Sequence, residues 1–559
     1  MREERQMVMR FEDMEKIKIP ADFNYDEIGS IKKEEIEKLS LVRPATLGQA
    51  SRISGVTPAA LQTLLIYLKP DRRYTCQIQS ASIKFTCKQA GFMTRLLIIG
   101  AGSAGRMVAS EIQNKKDIAG KFTIAGFLDD NGEISSCMGF PVFGRLSDAR
   151  DRIKSEGIDE VIIAIPSAGK DVIRKILRDL SGTDAAVRIV PGIFEIIEGR
   201  VNYSQIRAIQ PSDLLGREEV GFDIEKISPF YNGKTVLVTG AGGSIGREIF
   251  TQLFKLPIKK AVAFGHGENS IHSLIVDLKS DSRFEYCIGD IRDLEKLIHE
   301  FGRFKPDIIF HAAAHKHLPL MEDYPDEAVK TNIIGTYYTT LAAIQAGVHD
   351  FIFVSTDKAV NPSSVMGATK RAAEKIVLSL NKLQSVTKFS LTRFGNVLGS
   401  RGSVIPVFTR QIERGESITV THPEMTRYFM SIPEAARLVI KAATEPYGKI
   451  FVMDMGRPIR ILDLAKSLLS MYGYDESNFP IEYTGLRKGE KMYEELSYSL
   501  EKLKPSAYEK LFLSQEDFIP WTREQIIEMI TELAGEAEKF DSEGICSSLE
   551  KFVGEFKPI

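Results

Sequence analysis

Twice in this chain an apolar run ends in a glycine-rich turn that opens a helical stretch. Leu96-Leu97-Ile98-Ile99 precedes Gly100-Ala101-Gly102-Ser103-Ala104-Gly105, and Thr235-Val236-Leu237-Val238-Thr239 precedes Gly240-Ala241-Gly242-Gly243-Ser244-Ile245-Gly246. A buried strand fed through glycines into a helix suits a following parallel strand, because the helix covers one face of the sheet and returns the chain to the end where the first strand began. Further strand-like runs follow the first turn at 123–127, 160–164 and 186–190, with helical segments between them. Such alternation predicts parallel sheets covered on both faces. The expected fold class is α/β, with a small doubly wound parallel-sheet domain over 93–200 and a large one over 233–559. A length of 559 residues is too great for one hydrophobic core and agrees with several domains.

Residues 1–69 read as a small helical module. Glu and Lys are dense over 26–38, Leu61, Leu64, Leu65 and Leu68 recur at helical spacing, and Thr57-Pro58 has the form of a helix start. Residues 70–92 show no period and read as a linker, and 201–232 read as a connector. The formal net charge is only -2, so nothing in the balance asks for DNA or an anionic membrane as partner of the whole chain. The cysteines Cys76, Cys87, Cys137, Cys287 and Cys546 are scattered, which argues for a reduced setting and against a structural zinc. The N-terminus is charged, without a signal-peptide core, and no apolar run reaches the ~18–20 residues needed to cross a bilayer. A soluble, cytoplasmic protein without a membrane span is expected.

In the large domain the glycines at 240, 243 and 246 permit a tight turn, close approach of backbone to a pyrophosphate, and close helix packing, with Ser244 and Ile245 between them. The phosphates would meet the helix N-terminus, where unpaired N–H groups and the dipole favour anions. Further segments are Gly289-Asp290-Ile291-Arg292-Asp293, His311-Ala312-Ala313-Ala314, and Asn332 with Gly335-Thr336. Together these resemble the extended short-chain dehydrogenase/reductase superfamily over about 234–496, which implies a Rossmann-like fold for the large domain, the second of two tandem Rossmann-like domains. The resemblance implies that Asp290 meets the adenine and that Ala312 and Ala313 let the backbone pass close to a nicotinamide cofactor. It implies cofactor contacts for Ile291, Ala314, Asn332 and Lys370 as well.

Within that superfamily the chain resembles the CapD-like polysaccharide-biosynthesis group of UDP-N-acetylhexosamine 4,6-dehydratases. The segments that carry this are 314–322, Ser355-Thr356-Asp357-Lys358-Ala359, 361–370, 393–403, 427–430 and 485–490. The reaction so implied oxidises C4, eliminates water across C5 and C6, and returns the hydride to C6, so the cofactor ends as it began. Oxidation makes the C5 proton acidic, and elimination then needs a base at C5 and an acid at O6. We assign Thr356 to bond the 4-oxygen, Asp357 to protonate the leaving hydroxyl and Lys358 to take the C5 proton. An ordinary lysine is a poor base, and Lys370 and the nicotinamide cation are both expected to disfavour charge on Lys358 and lower its pKa.

The superfamily's usual Tyr-x-x-x-Lys reads Met366 and Lys370 here. Methionine moves no proton, which leaves Asp357 or a water chain held by Lys370 to deprotonate O4. Arg401, Arg427 and Arg487 suit a diphosphate or uridine, since a guanidinium grips phosphate oxygens in a fork. With Lys316, Glu322, Asn396 and Ser403 they form the expected UDP-sugar site. His311, His315 and His317 lack partners at ligand spacing, so no metal is expected. Gly265 stands where an acid would select NAD, no arginine follows, and Glu268 lies farther along; NAD and NADP both stay open.

Residues 93–200 resemble the CoA-binding-like nucleotide fold that precedes the catalytic domain in large CapD-like proteins, and a structural or regulatory role is expected of them. That family usually carries membrane-spanning helices before this domain, and none is read here. Residues 18–25 and 43–59 instead resemble the C-terminal subdomain of MnmG/GidA-type tRNA uridine-modifying enzymes, a helical module implicated in tRNA contact. The flavin-binding body of those enzymes is missing, so a fusion is expected rather than a tRNA-binding appendage. The rival readings are a nucleotide-sugar 4-epimerase, which would keep a tyrosine at 366, and an RNA-binding adaptor led by the N-terminal module. A homo-oligomer is the default expectation.

Overall fold

The computed structural model describes residues 19–20, 23, 25, 33–50, 53, 56, 60–61, 64, 93–114, 121–166, 168, 170–180, 183, 185–190, 206–208, 220–278, 280–446, 448–498, 503–515 and 518–559. The expected helix start at 57–58, Leu65, Leu68 and the linker 70–92 lie outside them. The chain divides into two compact units, Met1–Gln89 and Ala90–Ile559. In the first, helix α1 (Lys33–Val42) buries Leu39 with Leu47, Ala50, Leu61 and Leu64 in a small apolar core.

Among the described residues the second unit holds four two-stranded sheets and two large ones. The smaller is built from β1 (Thr94–Ile99), β2 (Phe122–Leu128), β3 (Glu160–Ile163), β4 (Ala186–Ile189) and β5 (Arg207–Ala208) in the order β2-β1-β3-β4-β5, parallel except for β4 with β5. Helix α2 (Ser103–Asn114) follows the first glycine turn. Leu96 and Ile98 face one apolar cluster while Leu97 and Ile99 face another, so this strand is buried on both faces.

The larger sheet comprises β6 (Thr235–Thr239), β7 (Lys260–Gly265), β8 (Phe284–Ile288), β9 (Ile308–His311), β10 (Asp350–Val354), β11 (Lys388–Arg393), β12 (Ile450–Met453), β13 (Leu503–Pro505) and β14 (Leu511–Ser514). Its order is β8-β7-β6-β9-β10-β11-β12-β14-β13, with β8 to β12 parallel and the last two strands antiparallel. Strand order reverses between β6 and β9, which opens a crevice at their C-terminal ends where such sheets bind ligands. Val236 and Val238 belong to one core and Leu237 to the other.

The stretch read as a connector contains structure. Arg207–Ala208 closes the small sheet, and α3 (Ile224–Tyr231) buries Ile227 and Tyr231 in the large core, where the Tyr231 hydroxyl donates to the Ile440 carbonyl at 2.7 Å. The crevice is flanked by α4 (Ser244–Leu253), α5 (Gly335–Gln345) and α6 (Val365–Leu383). Among the described residues no helix is long and apolar enough to cross a membrane.

Candidate active site

The crevice begins at the second glycine turn. Gly240 has φ +66, and a side chain there would lie 2.7 Å from the backbone N and Cα of Ala313. The loop after β9, carrying Ala312 and Ala313, therefore passes directly over the turn, and only glycine fits. A side chain on Gly246 would run into the Gly240 carbonyl oxygen. The turn is thus packed against the first residues of α4, whose N-cap Gly243 offers no side-chain cap. This leaves a helix N-terminus of the kind that receives a dinucleotide pyrophosphate. Gly246→Val is expected to push α4 off the turn and weaken nicotinamide dinucleotide binding at least about tenfold, read by fluorescence titration of the reduced cofactor.

Residues expected near the cofactor take varied positions. Asp290 pairs with Arg292 at 2.8 Å; burial pushes its carboxyl up, but the guanidinium prevails and holds it below the usual range. The Ile291 side chain is buried in the core, where it closes on Gly335 at the start of α5. The Asn332 side chain accepts from the His315 N–H at 2.8 Å and donates to the His315 carbonyl and to Thr369, so it shapes the loop after β9. Ala314 is exposed on that loop. His311 is fully buried between Thr239 and Thr336, and burial with the Lys370 charge lowers its pKa to about 3. It is a neutral core imidazole joining β6, β9 and α5.

The strand end of β10 carries Ser355-Thr356-Asp357-Lys358. The Ser355 N–H donates to Thr392 and the Asp357 N–H to Phe394, which continue the pairing with β11 past the last strand residue. The Asp357 side chain is 1% exposed. Its Oδ1 accepts from the Thr356 hydroxyl at 2.8 Å and from Lys358 Nζ at 3.1 Å. Its Oδ2 is buried with no hydrogen-bond partner among the described residues. A naked buried carboxylate oxygen is costly unless a proton or an incoming ligand group meets it.

Helix α6 starts at an N-cap, Ser364, whose hydroxyl accepts from the Gly367 N–H. One helical turn separates Met366 from Lys370, so both lie on the same face. Met366 is buried in the apolar core, whereas Lys370 Nζ reaches the strand end and donates to the Val354 carbonyl at 2.8 Å. Burial without a close counter-ion pushes the Lys370 ammonium down to about 7, against the weaker pull of Glu374.

The expectation for Lys358 is reversed. Burial works to lower its pKa, but the carboxylates of Asp357 and Glu494 outweigh burial and the nearby Arg427, and the net shift is upward. The lysine that loses its proton near neutrality is Lys370. Lys358 is instead an ammonium held by Asp357, by Asn396 Oδ1 at 3.1 Å and by Glu494 at 3.5 Å.

The candidate substrate residues take different positions. Asn396 touches Lys358, and Lys316 Nζ donates to the Ser400 hydroxyl at 3.2 Å across the crevice. Glu322 caps α6 by accepting from the Val365 N–H at 2.7 Å, and Lys488 lies 3.6 Å from it. Arg427 is buried and donates to the carbonyls of Thr426, Met492 and Lys491, which makes it the anchor of the 490–494 segment. Arg487 is exposed. The Arg401 N–H donates to the Ser244 hydroxyl, and its side chain lines a polar pocket with Glu268, Asn269, Ser270 and Ser273, beside the glycine turn and the end of β7. The Ser403 hydroxyl is buried without a partner among the described residues.

Glu494 is the site residue that the sequence did not suggest. It lies in an irregular stretch 136 positions beyond Lys358 (494 − 358), with no periodicity to mark it. Glu374 was equally silent. It is fully buried beneath Ser355 and forms a fork with Arg393.

A family model described as polysaccharide biosynthesis protein matches residues 236–516. The MnmG/GidA C-terminal helical bundle of tRNA modifying enzymes matches 7–90, across the stretch read as a linker, and a CoA-binding domain matches 80–191. The chain is 47% identical over 410 residues to the Probable polysaccharide biosynthesis protein EpsC of Bacillus subtilis, covering 72% of this chain and 68% of that protein. It is 43% identical over 427 residues to the Capsular polysaccharide biosynthesis protein CapD of Staphylococcus aureus, covering 75% of this chain and 71% of that protein. A UDP-glucose 4-epimerase of Rickettsia canadensis is 37% identical over 270 residues, covering 47% of this chain and 77% of that enzyme.

Proposed function

The chain belongs to the polysaccharide biosynthesis protein family of extended short-chain dehydrogenase/reductases, and from that premise we propose that it is a lyase converting a UDP-N-acetylhexosamine, first UDP-N-acetylglucosamine, to its 4-keto-6-deoxy form. The observation that carries this reading is the Asp357–Lys358 pair at the end of β10, with Asp357 Oδ2 buried and unpartnered among the described residues. Elimination needs an acid and a base together. Transfer of one proton from Lys358 Nζ to Asp357 across 3.1 Å makes both at once: a neutral amine for the C5 proton and a carboxylic acid for the leaving 6-hydroxyl. The pair therefore works with one shared proton, and its titration belongs to the two groups jointly.

The turn at Gly240, the start of α4 and the pocket beside Arg401 suit a nicotinamide dinucleotide. Bound there, it supplies oxidation at C4 and the reducing equivalent returned to C6. The Thr356 hydroxyl, 2.8 Å from Asp357, is assigned to the 4-oxygen. Lys370, with a pKa near 7 and its amine pinned at the strand end, is assigned to receive the O4 proton through water. No step falls to the N-terminal bundle.

The identity with a UDP-glucose 4-epimerase supports a second reading, in which the sugar is inverted at C4 and keeps its water. Met366 weighs against it, because a buried thioether cannot carry the proton that an epimerase tyrosine moves. Incubation of the full chain with UDP-N-acetylglucosamine, followed by mass spectrometry and proton NMR, separates the two. Loss of one water with a new 6-methyl signal is expected; an unchanged mass with UDP-N-acetylgalactosamine signals would replace the lyase by the epimerase.

A further inference from the structure

We propose that Glu494 is a positioning residue that clamps the Lys358 ammonium between its own carboxylate and that of Asp357, and so sets the proton count of the acid/base pair. The inference rests on the dehydratase reading for its consequence in turnover, and on geometry for the clamp itself. The Glu494 side chain is 3% exposed, and its Oε1 lies 3.5 Å from Lys358 Nζ and 3.8 Å from Arg427 Nε. A carboxylate this deeply buried is retained only where cations face it.

Arg427 fixes the clamp from behind. It donates to the carbonyls of Thr426 at 2.8 Å, Lys491 at 2.7 Å and Met492 at 3.1 Å, and Glu490 lies 3.5 Å away. The segment that carries Glu494 is thereby tied to Arg427, whose short strand Thr426–Arg427 pairs with Ile459–Arg460, and the carboxylate is delivered to a lysine far off in sequence. Asn396 Oδ1 at 3.1 Å completes the cage.

The charged groups around Lys358 are the carboxylates of Asp357 and Glu494 and the cations Arg427 and Lys316, the last of which feels the Lys358 charge. Glu494 is the only one of the two carboxylates that is not itself assigned a proton transfer. Its charge favours a proton on the lysine. Removing that charge leaves two cations against Asp357 alone, and the pair should lose its last proton at lower pH. Activity requires that proton, so the alkaline limb of the rate profile moves with it.

The test uses the full-length protein and two readouts. Competitive amine labelling of Lys358 across pH, read by peptide mass spectrometry, reports its protonation whether or not the protein turns over. Glu494→Gln is expected to move the Lys358 titration, and the alkaline limb of kcat, down by about one pH unit or more. Glu494→Asp, which keeps the charge one methylene back, should show the same change in smaller degree and stands in if the glutamine variant does not fold. An unmoved Lys358 titration in whichever variant folds would overturn the proposal, even if turnover fell, because a merely structural residue lowers rate without moving that titration. A shifted titration in a protein inactive on every UDP-hexosamine would uphold the clamp and sink the dehydratase reading instead.

Discussion

Asp357→Asn is expected to lower turnover by about a thousandfold, within the ~10²–10⁴ range of a lost general acid, while the protein stays folded. Asparagine keeps the shape and can still accept from Thr356, but it cannot receive the Lys358 proton or hand it to the departing hydroxyl. The loss should be specific to the elimination. With no carboxylate at 357 to take its proton, Lys358 stays an ammonium, so exchange of the C5 proton with deuterated solvent and 6-methyl formation are expected to fall together, and proton NMR reads both in one tube. A variant within about tenfold of the parent would remove Asp357 from the reaction.

The largest expected effect on stability lies one layer below. Arg393 and Glu374 are each fully buried, with Arg393 Nε 2.9 Å from Oε1 and a terminal nitrogen 2.8 Å from Oε2. Arg371 adds a contact at 3.1 Å, and the Ser355 hydroxyl donates to Oε1 at 2.6 Å. Glu374→Gln leaves two buried guanidinium groups facing a neutral amide, and should destabilise the large domain by about 3–5 kcal/mol. The single tryptophan, Trp521, whose backbone N–H donates to the Ser379 hydroxyl on α6, reports the unfolding of this region in urea. Retention of the parental midpoint would show that the network adds nothing to stability.

The same network predicts acid sensitivity. Burial raises the Glu374 pKa, but Arg393 and Arg371 prevail and the folded value lies below the ordinary one. Glu555 behaves likewise: burial opposes, yet Lys375 and Arg371 bring it down to about 2. Groups depressed on folding contribute stability above their unfolded pKa and lose it as pH falls towards the folded value. The parent should therefore weaken between about pH 4.5 and pH 2, and Glu374→Gln should show a shallower acid loss on top of its lower starting stability.

Much of the site was legible because it is written locally. A strand, a glycine turn and a helix are contiguous, so the turn at Gly240 and the helix N-terminus that follows it could be placed from the sequence, whereas the strand order that opens the crevice between β6 and β9 could not. Met366 and Lys370 are one helical turn apart, which put both on one face of α6. The apolar core behind Ile291 and the cap that Glu322 gives α6 were not legible, since a motif position does not say which way a side chain turns. The short elements inside the connector were not legible for a related reason: α3 is too short to announce itself, and it is helical because Ile227 and Tyr231 have a core to enter.

The sequence by itself determined the architecture and the inventory of reactive groups, because backbone periodicity, glycine freedom and residue chemistry are properties of neighbours along the chain. The tertiary structure decided which lysine holds its proton. Lys358 meets two carboxylates, one of them on the distant Glu494, and stays charged; Lys370 meets the Val354 carbonyl and the Phe353 ring, and titrates near neutrality. A pKa is set by the charges and solvent within a few ångströms, and those neighbours come together only when the chain folds.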